Sequence, residues 1–227
     1  MMTLLWYQWM ALCALGICIV TLLLYFVRLV KAGKPNDLSR PSGSPAKGIR
    51  FAFTGAMSPA RKESAYLHLP TYAAGLLFHM GNFLSFFLFF LIIAGNYPSG
   101  WISIFIIIFL SVSSACGLGI LIKRIVKKEL RSISNPDDFL SNILVSLFEI
   151  MTLLVILALS VLPSYRPTVL SSSTSVILIT YYLTFTLLAL YLPVGKLRHT
   201  VYFFAARYHL GYFFGRRGVW PVNNLKD

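Results

Sequence analysis

Long apolar runs alternate with short polar segments along this chain. Five of the runs extend for roughly 20 residues with almost no charge, which is the length that an α-helix needs to cross the hydrocarbon core of a membrane. The pattern therefore predicts five transmembrane helices. Their predicted bounds are residues 4–27, 71–95, 101–122, 140–162 and 175–192.

The composition supports the membrane assignment. Apolar residues make up 57% of the 227 residues and charged residues only 12%, whereas a soluble domain carries about 25% charge. So little charge argues against a soluble enzyme, a disordered regulator and a disulfide-stapled secreted domain. The three cysteines lie inside apolar runs without CxxC spacing, so no cysteine metal site is indicated. We predict an all-α protein with a single membrane domain over residues 1–227.

The distribution of basic residues predicts the orientation of the helices. The first run lacks a positively charged start, so it is interpreted as an uncleaved helix and not as a signal peptide. Of the 20 Lys and Arg residues, 19 fall in the loop 28–70, in the segment between the third and fourth helices, or in the tail 193–227. Basic loops remain in the cytoplasm. We therefore expect the N-terminus outside and the C-terminus inside, with Arg166 the one exception, with partners docking on the cytoplasmic face, and with no nucleic-acid partner.

Two histidines suggest a cofactor. His79 lies in the second predicted helix and His199 follows the fifth, and the predicted orientation places both toward the cytoplasmic side. A b-type haem fits such a bundle, because its iron accepts one imidazole from each of two facing helices. We expect the haem to lie between helices two and five. The alternatives are a core histidine bonded to another helix at position 79 and an interfacial histidine at position 199.

Small and basic residues accompany both histidines. Gly75 and Gly195 each stand four residues before a histidine, and so on the same helix face if the helix runs through the glycine. Each would leave room for a porphyrin ring. Lys196 and Arg198 are placed to pair with the haem propionates at the membrane surface.

A second histidine pair lies closer to the cytoplasm. His68 and His209 are 11 and 10 residues nearer the cytoplasm than His79 and His199. An offset of eleven residues returns to nearly the same helix face, whereas ten miss it by about 80°. The pair is therefore a candidate for a second haem, and its alternative is a surface contact with a quinone or a partner.

One acidic residue interrupts the fourth predicted helix. Glu149 lies about nine residues from the cytoplasmic start of that helix. A carboxyl group at membrane depth is protonated, paired or functional. Two interpretations stay open, a proton-carrying role linked to a quinone and a structural hydrogen bond.

Two sequence segments resemble a known family. Leu77-Phe78-His79-Met80-Gly81 is similar to the haem-ligand segment in the gamma subunit of respiratory nitrate reductase. Residues 192–199, LPVGKLRH, resemble the same family's late segment, in which a proline is followed by a basic residue, leucine and histidine. The family includes cytochrome b subunits of heterodisulfide reductase and of sulfite-reduction-linked membrane complexes. Residues 62–64 and 215–219 are more similar to those relatives than to the nitrate enzyme.

The resemblance implies an electron-transfer role. Members of the family pass electrons between menaquinone or another quinone and an iron–sulfur subunit at the cytoplasmic face, within a hetero-oligomeric complex of the prokaryotic cytoplasmic membrane. His79 and His199 correspond to the ligands of the haem nearer the cytoplasm. Phe89 and Tyr181 fall where the nitrate branch has the ligands of an outer-side haem, so that haem is expected to be absent.

Two other functions stay open at this stage. The first is a haem-free membrane anchor or assembly subunit, in which the histidines are structural and the basic loops bind lipid or a partner. The second is a small transporter, although the predicted spans carry no midplane charge beyond Glu149. The chain has no nucleophile–base pair and no phosphate loop, so we expect no catalytic centre of its own.

Overall fold

The computed structural model describes residues 4–33, 37–61, 67–161 and 175–222, and helices are the regular structure throughout these ranges. Arg166 and residues 62–64 lie outside them. The helices are α1 (Trp6–Ala32), α2 (Pro45–Phe53), α3 (Leu69–Ile93), α4 (Trp101–Val126), α5 (Lys128–Ser132), α6 (Pro136–Val161), α7 (Val176–Tyr191) and α8 (His199–Arg216).

The long helices match the predicted spans closely. Four helices, α1, α3, α4 and α6, are long and apolar enough to cross a membrane. A fifth span exists if α7 and the following Lys196–Arg216 segment are counted as one bent span. The multi-pass membrane character expected from the sequence is therefore supported. Sequence analysis assigned no helix to the segments that form α2 and α8.

Local sequence explains where several helices begin. Ser44 accepts a hydrogen bond from the Lys47 backbone N–H at 3.4 Å, and Pro45 occupies the first position of α2, where its missing N–H costs nothing. Before α6, the Asn135 and Asp138 side chains each accept a bond from the other's backbone N–H, at 3.0 and 2.9 Å. This reciprocal pair is a capping box.

The chain divides into two compact units. The bundle unit comprises Met1–Ile19 and Pro70–Leu197, and the glycine unit comprises Val20–Leu69 and Arg198–Asp227. The helix α1 contributes its first part to the bundle unit and its second part to the glycine unit.

Aromatic rings fill the core of the bundle unit. Phe89 and Phe185 are fully buried and stack with their ring centroids 3.6 Å apart. Phe148 and Tyr181 stack at 5.7 Å, and Tyr181 lies 6.3 Å from Phe89. The start of α1 joins this core, because the Tyr7 ring stacks on a tyrosine of α7.

Backbone-to-backbone contact holds the glycine unit together. Gly48 on α2 lies so close to Gly211 and Gly215 on α8 that a Cβ at position 48 would overlap their backbone atoms. The chain before α2 is also fixed to the end of α8, since the Ser42 and Gly43 N–H groups donate to the Arg216 carbonyl at 2.9 and 3.0 Å. Helices approach this closely only where side chains are absent.

Candidate functional site

The imidazole of His79 is exposed on α3, and one of its nitrogens is fixed by the backbone. Its Nδ1 lies 2.7 Å from the Gly75 carbonyl oxygen one helical turn earlier. A carbonyl can only accept, so Nδ1 carries a proton, and in the neutral ring Nε2 then presents its lone pair. Among the residues that the structure describes, none makes a hydrogen bond with Nε2. This state of the ring is the one that a metal-ligating histidine adopts.

The helix face beside His79 is bare. Apart from the backbone of α3 itself and the two chain neighbours, no atom of the described residues lies within 4 Å of the point where a Cβ on Gly75 would stand. The bond between the two residues places them on one face of α3, as their spacing predicts. Open space beside an imidazole that is protonated on Nδ1 fits the donor chemistry of a haem ligand, and the haem itself stays a prediction.

The surroundings of Gly195 differ from the prediction. Residues 192–198 break the helix, so Gly195 and His199 do not share a continuous helix face. The space above Gly195 is also occupied, because a Cβ there would overlap the ring of Tyr191. The expected role of Gly195 in making room for a porphyrin therefore finds no support in the described residues.

Lys196 and Arg198, the two basic residues near this break, have different surroundings. The Lys196 ammonium pairs with the Asp138 carboxylate of α6, and the Tyr191 hydroxyl donates to the neighbouring Asp137. Lys196 thus already has an anionic partner within the bundle unit. Arg198 is exposed just before α8, and its expected pairing with a propionate stays a prediction.

The remaining histidines belong to the glycine unit. His199 is the first residue of α8 and is exposed, and His68 is exposed in a turn before α3. His79 lies in the bundle unit, so its pairing with His199 across one haem stays a prediction, as does the pairing of His68 with His209.

His209 lines a cavity of about 540 Å³ within the glycine unit. The walls come from the end of α1, from α2 and from α8, and His209 is half-buried among them. The lining is otherwise apolar or aromatic, and consists of Phe26, Leu29, Val30, Gly33, Phe53, Phe204, Ala205 and Tyr208. An apolar cavity with one imidazole in its wall suits an apolar ring molecule that carries one atom for the imidazole to hydrogen-bond or coordinate.

Glu149 is fully buried where α6 passes α3 and α4. Its carboxyl and the Ser113 hydroxyl of α4 both border the space that a Cβ on Gly81 would fill. Ser113 in turn donates to the Leu77 carbonyl of α3 at 3.0 Å. Sequence analysis noted Glu149 but missed Ser113 and Gly81, although a glycine two residues after His79 and a serine pair inside an apolar helix were visible signals.

Phe89 and Tyr181 are packed inside the bundle core, where both side chains are fully buried. Their rings contact each other and the stacked phenylalanines around them. Neither side chain offers a nitrogen ligand. The expected absence of an outer-side haem stays a prediction.

The chain was compared with protein-family models, curated proteins and solved structures, and none of them matches it.

Proposed function

We propose that this chain is a b-type cytochrome subunit that carries electrons between a membrane quinone, such as menaquinone, and a cytoplasmic iron–sulfur subunit. The state of His79 is the observation that carries the proposal. Its Nδ1 donates to the Gly75 carbonyl at 2.7 Å, and no described side chain stands within 4 Å of a Cβ built on Gly75, one turn earlier on the same helix. An apolar helix that exposes an oriented imidazole must compensate for the cost of that polar group at membrane depth.

His79 would hold the haem through its Nε2 nitrogen, and its bond to Gly75 would hold the imidazole in a single tautomer and orientation. His199 is proposed as the second ligand on the strength of the sequence resemblance alone. The haem, when bound, supplies one-electron redox chemistry. The residues of this chain position it, and the apolar helices around it exclude water.

The surroundings of the two histidine pairs favour one haem as the primary cofactor. The packed Phe89 and Tyr181 leave no ligand for an outer-side haem. His209, in its apolar cavity, is the better candidate of the second pair for a second haem or a quinone, because His68 is exposed in a turn.

The orientation of the proposed subunit rests on charge. The basic loops favour an N-out, C-in arrangement in a prokaryotic cytoplasmic membrane, with the loop 28–70 and the tail 193–227 facing the iron–sulfur partner. Ten described cations of the glycine unit accompany one described carboxylate, that of Asp37, which suits an acidic protein surface or anionic lipid. The cations are Arg28, Lys31, Arg40, Lys47, Arg50, Arg61, Arg198, Arg207, Arg216 and Arg217.

An absorption spectrum of the purified chain tests the cofactor directly. We expect a reduced b-type α-band of low-spin haem in the natural protein. His79→Ala removes an axial nitrogen and should abolish that band, whereas Met80→Ala, at an exposed neighbouring position, should keep it. A natural protein without haem supports the haem-free anchor instead, and an unchanged band in His79→Ala contradicts the ligand assignment.

A second variant separates haem binding from folding. Gly75→Leu places a side chain in open space on the His79 face, so the bundle should fold normally while the ring is excluded. Gly119→Leu is the matched control, because a Cβ at that glycine on α4 also meets no atom within 4 Å. We expect both variants to reach the membrane in equal amounts and only Gly75→Leu to lose haem. Equal haem content in the two would argue against ring binding at His79.

A further inference from the structure

The carboxyl group of Glu149 has no ionic partner among the residues that the structure describes. The side chain is fully buried, and neither carboxyl oxygen accepts a hydrogen bond from a described residue. Lys123, the basic residue further along α4, lies ten positions from Ser113, or about 15 Å along the helix, and its ammonium is bonded to Thr71. An ionised carboxylate in this position would be buried without compensation.

The direction of the hydrogen bond that Ser113 makes indicates that a proton on Glu149 could be the donor between the two side chains. Ser113 has one hydroxyl proton, which it donates to the Leu77 carbonyl at 3.0 Å. Its oxygen can still accept, and the Glu149 carboxyl borders the same small space beside Gly81. A proton on Glu149 would complete a chain that runs from the acid to the serine hydroxyl and on to the backbone carbonyl.

We propose that Glu149 is a proton-binding site within the bundle, at which a neutral carboxylic acid donates to Ser113. The bound proton links three helices, because Glu149 lies on α6, Ser113 on α4 and Leu77 on α3. Gly81 makes this arrangement possible, since any side chain at that position would displace both the acid and the hydroxyl. The site does not depend on the haem assignment and would exist in a haem-free protein.

The other titratable groups on the surrounding helices do not provide a counter-charge. On α3, His79 is exposed and bonded to its own backbone. On α4, Lys123 is bonded to Thr71, and Arg124 lies 3.5 Å from the Asp138 carboxylate and is bonded to Ser134. On α7, Tyr181 and Tyr182 are buried within the aromatic core.

Three more buried side-chain oxygens of α3 and α4 have no hydrogen-bond partner among the described residues. Among the described residues, the Asn82 Oδ1, Ser85 and Ser114 side-chain oxygens are buried and lack a partner. All three are acceptors, and two of them are also hydroxyl donors. Buried polar atoms therefore occur on α3 and α4 close in sequence to Gly81 and Ser113.

Infrared spectroscopy of the full-length protein in detergent, with ¹³C-labelled glutamate, tests the proposal. We expect a C=O stretch from a protonated glutamic acid at neutral pH that shifts with the label. Glu149→Gln should remove this band. Glu129→Gln is the matched control, because Glu129 is exposed on α5, and it should leave the band unchanged.

A second pair of variants tests the proposed hydrogen bond from Glu149 to Ser113. Ser113→Ala should shift the Glu149 band, because the acid loses its acceptor. Ser111→Ala removes an exposed hydroxyl of the same helix, which bonds only the Ile107 carbonyl, and should not shift the band. A protein without a labelled acid band would overturn the proposal, since Glu149 would then be ionised or paired with a cation. A band that survives in Glu149→Gln, or that is identical in Ser113→Ala, would overturn it as well.

Discussion

Each of the two compact units of this chain is stabilised internally in a different way. The bundle unit fills its centre with large rings, among which Phe185 and Phe89 stack at 3.6 Å. The glycine unit removes side chains, so that α2 and α8 touch through the backbones at Gly48 and Gly215. Both solutions increase close atomic contact between helices. The difference predicts which substitutions each unit tolerates.

The largest effect should come from emptying the aromatic core. Phe185→Ala leaves a cavity between Phe89, Phe148 and Phe86, whose rings lie 3.6 to 6.0 Å from its own, and should reduce the free energy of unfolding by about 3 kcal/mol. Unfolding in mixed micelles measures this loss. Phe83→Ala is the control, because Phe83 is 69% exposed and its removal leaves no cavity. Equal losses in the two variants would contradict the assignment of Phe185 to the core.

In the glycine unit, the addition of side-chain atoms at the helix contact should lower stability. Gly48→Ala places a methyl group against the backbones of Gly211 and Gly215, and overpacking of this kind costs about 1–3 kcal/mol. Gly16→Ala is the matched control, since a Cβ at Gly16 on α1 meets no atom within 4 Å, and a helical alanine is favoured over glycine by roughly 1 kcal/mol. Thermal unfolding in detergent should move in opposite directions for the two variants. A Gly48→Ala protein as stable as the natural one would refute the close helix approach.

The smallest effect concerns the one described carboxylate of the glycine unit. Arg217 binds both Asp37 oxygens at 3.2 Å, and these bonds, together with those from Ser39, hold the pKa of Asp37 well below its usual range. The contribution to stability is present above the unfolded-state pKa, near 3.9, and is lost as pH falls toward the folded-state pKa. Asp37→Asn should therefore lower stability at pH 7, and its difference from the natural protein should shrink below about pH 4. Melting curves across that range test the sign, and a difference that grows in acid would be inconsistent with it.

The transmembrane helices were predictable because membrane thickness imposes a length on apolar segments. The match of α3, α4 and α6 to predicted spans follows from that single constraint. The helix α8 was missed, because its aromatic residues are interrupted by arginines and histidines and the segment was interpreted as a tail. Gly211 and Gly215, four residues apart, carried a small-residue signal for close helix packing, but nothing in one sequence identifies Gly48 as the partner.

The candidate site was predictable where it depends on one helix. The spacing of Gly75 and His79 fixed their common face, and their hydrogen bond agrees with it. The same argument failed at Gly195, because Pro193 and its neighbours break the helix and the Tyr191 ring occupies the space. Contacts between helices, such as Ser113 with Leu77, depend on rotation and depth, which one sequence does not determine.

The two ion pairs that Asp138 makes at the start of α6 become possible at different times during synthesis of the chain. Asp138 lies 3.5 Å from Arg124, which precedes it in the chain, and it also pairs with Lys196, which follows 58 residues later. Because synthesis proceeds from the N-terminus, Arg124 has already been made when the carboxylate emerges, whereas Lys196 is added only after all of α7. The lysine contact can therefore form only after α7 has been synthesised, and a nascent chain that stops before Lys196 would contain α6 and α7 without this ionic link between α6 and the segment that follows α7.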